Sequence, residues 1–143
     1  MNRFKNCTNY KEISNAINIA NSLLMAGSKM IEEIYSKNDW EYNSGRGNEI
    51  ALKLLVYREP ISILTYRPWN PLSKVIGYYD GETININLRK LPYMAERNII
   101  SNLVHEYSHA CGFSHGSNFP SDHKNKFSVP YFLSHNINQG KWL

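Results

Sequence analysis

A chain of 143 residues carries the material for one domain and is short for two. Hydrophobic residues make up 42% and charged residues 20%, which supplies a core and disfavours disorder. The net charge is +4, but the bases are scattered from Arg3 to Lys141, whereas nucleic-acid binders gather theirs on one face.

No apolar run approaches the roughly 18 residues of a membrane helix. Polar residues follow Arg3 and Lys5, with no apolar stretch of the kind a signal peptide needs. We therefore expect no nucleic-acid partner and no membrane, and we expect a monomer. The compartment stays open: cytoplasmic, or released by a route without a signal, unless a leader has been removed. Cys7 and Cys111 permit one disulfide but no disulfide framework.

Residues 10–36 read as one long amphipathic helix. Ile13, Ile17, Ala20, Leu24, Met30, Ile31 and Ile34 fall near a 3.6 period, and Asn9 with Glu12 resembles a capping box. Residues 39–48 read as a loop, and 50–58 fits a helix or a strand. Residues 61–66 read as a strand that ends before Pro68. Residues 75–79 and 82–88 read as two strands around Asp80-Gly81, a pair suited to a type I′ hairpin turn. Pro92 suits the first turn of a helix over about 92–111, with Ile99, Ile100, Leu103, Val104 and Tyr107 as its apolar stripe. Gly112 follows as a left-handed cap. Beyond it the chain reads as irregular, apart from an apolar stretch over 129–133. Together these elements predict an α+β fold: a long N-terminal helix, a small twisted mixed sheet with a 75–88 hairpin, and the 92–111 helix.

Residues 105–115 carry the chemistry. They read His-Glu-x-x-His-x-x-Gly-x-x-His. On a helix, residues four apart share a face, so His105 and His109 can bind one metal ion. Glu106 lies beside that face, within reach of a water on the metal. A continuing helix would carry His115 away. Gly112 can take positive φ and turn the chain back, which makes His115 a third ligand. Three protein ligands leave a fourth position open, as in catalytic zinc sites. Cys111 lies about 200° around the helix from His109 and should face the core.

The eleven residues resemble the signature of the metzincin zinc metallopeptidases, in which a methionine turn follows the third histidine. Element order agrees more loosely: helix 10–36, strands over 61–88, then helix 92–111. The resemblance implies a metzincin-like catalytic domain spanning 1–143, one Zn²⁺ at the floor of a cleft, and a peptide or protein substrate. It also implies a sheet-edge strand that holds extended peptide by main-chain pairing. The candidate is Lys74 to Tyr79, with Val75, Ile76, Gly77, Tyr78 and Tyr79 along the edge. Methionines occur only at 1, 25, 30 and 94, so no methionine turn can follow His115. The nearest surrogate is Ser128-Val129-Pro130-Tyr131. Val129 and Pro130 would form an apolar floor, and Tyr131 would be a ligand, a transition-state donor or plain packing. His123 and His135 read as surface histidines, with His123 beside Asp122 a candidate for the cleft wall.

The expected function is a zinc-dependent metalloendopeptidase with Glu106 as general base. Two alternatives stand beside it. One is a non-catalytic zinc-bearing module, such as a phage- or toxin-associated structural protein. The other is a zinc hydrolase acting on a non-peptide amide. Glu106 weighs against the first, because a structural zinc has no use for a base beside an open position.

Overall fold

The computed structural model describes residues 2–43, 45–117 and 124–143. It is a mixed α+β structure with five α-helices and a four-stranded mixed sheet among those residues. Strand β1 is Phe4–Asn6. Helices α1 (Lys11–Leu23), α2 (Lys29–Ser36) and α3 (Gly47–Leu55) follow. Then come β2 (Ile61–Tyr66), β3 (Gly77–Tyr79), β4 (Thr83–Asn87), α4 (Glu96–Ala110) and α5 (Val129–Asn138). The sheet order is β1-β2-β4-β3. β1 and β4 flank β2 in parallel, and β3 runs antiparallel to β4 at the edge. Residues 61–66 form the strand read from the sequence, and 50–58 resolves into the end of helix α3 and the coil beyond it.

Several expectations need correction. The helix over 10–36 is two helices. Gly27 takes φ +86°, and Ser28 caps α2 by accepting from Ile31 N–H at 3.2 Å. The apolar period survives the break, because Ile13, Ile17, Ala20, Leu24, Met30, Ile31 and Ile34 are all buried. The Asn9–Glu12 box does not form. Tyr10 occupies the cap of α1 without a side-chain bond.

The helix over 92–111 also starts later. Pro92 sits in a 3₁₀ turn, Leu91–Tyr93, and α4 begins at Glu96, where Asn98 Oδ1 accepts from Ala95 N–H at 3.1 Å. The hairpin turn is not type I′, because Gly81 has positive φ and Asp80 does not. Asp80 instead accepts from the amides of Glu82 and Thr83 at 2.9 and 2.8 Å, a side-chain mimic of a turn.

The C-terminal part is not irregular. Ser128 caps α5 by accepting from Tyr131 N–H at 3.3 Å, and Pro130 sits in the first turn. Val129, Leu133 and Ile137, four residues apart, are buried along one face. That face packs on α4, which also contacts α1 and β3. Ile99, Ile100, Leu103, Val104 and Tyr107 of α4 are nearly inaccessible, so α4 is the central element of the core.

Arg3 is buried. Its guanidinium donates to the carbonyls of Leu24, Leu55 and Val56 at 3.0–3.2 Å. One cation thus satisfies open carbonyls at the C-terminal ends of α1 and α3, where the helix dipoles favour positive charge. Cys7 is exposed and Cys111 buried, both as free thiols. No helix among the described residues is long and apolar enough to cross a membrane.

Candidate functional site

The last turn of α4 sets the site. Gly112 has φ +96° and its N–H donates to the His109 carbonyl at 2.9 Å, while Phe113 N–H donates to the Ser108 carbonyl at 3.1 Å. This is a Schellman end, and it turns the chain back as the sequence requires. It also orients His109, a candidate ligand. The Phe113 carbonyl, delivered by that turn, meets His109 Nδ1 at 2.8 Å.

The three histidines come together. One ligand atom from each of His105, His109 and His115 lies within 4.8 Å of the others, close enough to bind one metal ion. Their outer nitrogens have protein partners. His109 Nδ1 faces the Phe113 carbonyl, and His115 Nδ1 faces the Gly116 carbonyl at 3.3 Å. A carbonyl can only accept, so these Nδ1 atoms carry the protons and leave the Nε2 lone pairs free. His105 Nδ1 lies 3.2 Å from Ser134 Oγ. This donor set fits a metal that prefers imidazole nitrogen, zinc among them.

Burial favours the state that binding needs. Desolvation pulls His105 down to about 3, helped by His109 and His115 and opposed by the Pro130 carbonyl. Desolvation also lowers His109. Both rings are therefore neutral at ordinary pH. Glu106 is 8% exposed, and burial pushes its carboxyl up to about 7 against the Tyr79 amide, which holds it down. Glu106 Oε2 accepts from Tyr79 N–H at 3.0 Å.

The Ser128–Tyr131 segment reaches the site as the start of α5. The Tyr131 ring centroid lies 4.9 Å from that of His105 and 4.4 Å from that of His115. Burial raises the Tyr131 phenol, and the charge of Glu106 adds to the rise. Val129 and Pro130 are buried at the α5 N-terminus. A cleft of about 810 Å³ runs over the histidines and takes in Lys74, residues 75–79, Asn102, Tyr131 and His135. His135, read from the sequence as a surface residue, is exposed and lies on this wall. His123 lies outside the described residues. Cys111 is buried on the far side of α4, as its position on the helix predicts.

Edge strand β3 flanks the cleft, but it is shorter than expected: Gly77, Tyr78 and Tyr79 form it, and Lys74, Val75 and Ile76 lie in the coil before it. Asn87 N–H donates to the Ile76 carbonyl and Asp80 N–H to the Thr83 carbonyl, so residues 76, 78 and 80 turn their polar groups toward β4. By alternation, Gly77 and Tyr79 turn theirs outward.

Three positioning residues went unread in the sequence. Asn125, fully buried, accepts from Gly116 N–H at 2.9 Å and donates to the Ser117 carbonyl, which holds the loop that carries His115. Ser134 stands behind His105. Asn102 packs against the Gly77 backbone. Short polar residues carry no pattern that would single them out. Comparison with protein-family models, curated proteins and solved structures finds no match to this chain.

Proposed function

We propose that this chain is a zinc-dependent endopeptidase with a metzincin-type centre. One observation carries the reading: three histidine ligand atoms within 4.8 Å of one another, beside a buried carboxylate, on an open cleft. A zinc ion held there would polarise a substrate carbonyl and acidify a water at its open position.

The chain's own groups divide the remaining work. His105, His109 and His115 bind through Nε2 as neutral rings, held in aim by the Phe113 and Gly116 carbonyls and Ser134. Glu106, with its carboxyl raised to about 7, takes the proton of the attacking water and passes it to the leaving amine. Tyr131, against His105 and His115, offers its phenol to the oxygen that gains charge. The outward groups of Gly77 and the Tyr79 carbonyl pair with an extended substrate, as in strand addition. The first test is zinc content with cleavage of a peptide library. The chain should bind about one zinc and cleave peptide bonds, and a chelator should abolish both. A chain that takes up no zinc on titration would overturn the reading.

A further inference from the structure

A second groove opens off the cleft. Pro71, Lys74, Ile76, Arg89, Lys90 and Tyr93 line it, and Lys74 and Ile76 line the histidine cleft as well. The two depressions therefore share a wall. Residues 60–79 and 83–95 contain Arg67, Lys74, Arg89 and Lys90 and no Asp or Glu. None of these four makes an ion pair among the described residues. Large apolar groups are exposed on the groove and beside its Pro71 in the chain. Tyr93 is 89% exposed, and Trp69 and Leu72, either side of Pro71 in the chain, are 99% and 82% exposed. Scattered exposed side chains are ordinary, but a basic groove that carries an unpacked aromatic, Tyr93, and shares a wall with a cleft has the make-up of a recognition surface.

We propose that this groove is an exosite for an acidic, extended segment of the polypeptide substrate. The inference rests on the endopeptidase reading, which lays an extended chain along β3. Tyr79 meets Glu106, and Lys74 lies five residues back along the same backbone. Residues 77–79 of that run are strand, and 74–76 lead into it. A substrate in register with β3 reaches the groove about five residues from the scissile bond. Acidic side chains there meet Lys74, Arg89 and Lys90, and an apolar neighbour meets Tyr93. Continuity with the cleft favours polypeptide over a lipid surface or an oligonucleotide, which would bind the cations without entering it.

The test uses anisotropy of labelled peptides on the full chain, read without cleavage by working with Glu106→Gln. Peptides share one cleavable core and differ in a tail of Glu, Gln or Lys. The Glu-tailed peptide should bind on the order of tenfold more tightly than the Gln-tailed one at low salt, with the advantage shrinking as salt screens it. The double variant Arg89→Gln/Lys90→Gln should lose most of the advantage. Arg89→Glu/Lys90→Glu should turn the preference toward the Lys tail. Equal binding of all three tails would overturn the exosite. So would anionic vesicles or oligo-dT that bind the groove while the Glu-tailed peptide does not compete. If zinc-loaded wild type cleaves the core regardless of tail, the exosite fails and the peptidase reading survives. If the Glu tail binds through Arg89 and Lys90 and nothing is cleaved, the surface stands and the peptidase reading fails.

Discussion

Glu106 Oε2 accepts a hydrogen bond from the main-chain N–H of Tyr79 at 3.0 Å, so the candidate base is tied to the edge strand of the sheet. The bond joins α4 to β3 at the point where a substrate would lie. It also occupies one of the outward groups of the edge. Replacement of Glu106 by Gln keeps an oxygen acceptor for that amide, whereas Ala leaves the amide without it. Glu106→Ala should therefore be less stable than Glu106→Gln by about 1 kcal/mol. Urea unfolding of the two metal-free variants measures the difference. Equal midpoints would mean that the bond contributes nothing to holding β3 on α4.

Two glycines should respond differently to the same change. At Gly112 an added Cβ meets no atom within 4 Å, so Gly112→Ala suffers only from its φ of +96°. A cost of about 1 kcal/mol is expected. At Gly77 the Cβ would lie 2.5 Å from Asn102 Oδ1 and 2.8 Å from the Asn85 carbonyl. Gly77→Ala should thus push β3 away from α4 and cost more than Gly112→Ala. Thermal melts of both variants rank them, and a Gly77→Ala protein as stable as wild type would refute the close approach.

The hairpin should weaken in acid. The amides of Thr83 and then Glu82, with the Thr83 hydroxyl, hold the Asp80 carboxyl well below its ordinary value. A depressed carboxylate contributes stability that is present above the ordinary value near 3.8 and is lost as pH falls through the lower folded value. Asp80→Asn lacks that contribution at every pH. Wild type should therefore melt above Asp80→Asn at pH 6, and the gap should close below about pH 3.8. A gap that widens in acid would reverse the sign of the effect.

Much of this was legible in the sequence, for physical reasons that differ by element. The Gly112 turn and the meeting of His105, His109 and His115 follow from helical spacing and the freedom of one residue. β2 and β4 announce themselves by alternation and β-branched residues. β1 does not, because Phe4-Lys5-Asn6 is too short to show a period, and its strand exists through parallel pairing with β2. The α1–α2 break was hidden because the apolar period continues across Gly27. Helix α5 was hidden because Asn136 and Asn138 dilute its stripe, although Ser128 and Pro130 carry start signals. Asn125 is out of reach of any local reading, since its partners at Gly116 and Ser117 lie nine and eight residues away.

Tyr131 separates packing from chemistry. Its ring lies against His105 and His115, and Phe would keep that ring. Tyr131→Phe should therefore keep the fold and zinc affinity. If the phenol meets the developing charge, kcat should fall by on the order of 10²-fold while KM stays near its value. An unchanged kcat would leave Tyr131 with a packing role alone.

The most direct measurement compares zinc-loaded wild type with zinc-loaded Glu106→Gln on one broad peptide library, with bound zinc quantified in both. The two proteins should hold equal zinc, and wild type should cut peptide bonds in extended segments. The Gln variant should be slower by at least about 10²–10⁴-fold, the loss expected for a general base. Equal cleavage by the two proteins would contradict the role of Glu106, and no cleavage by zinc-loaded wild type would contradict the assignment as an endopeptidase.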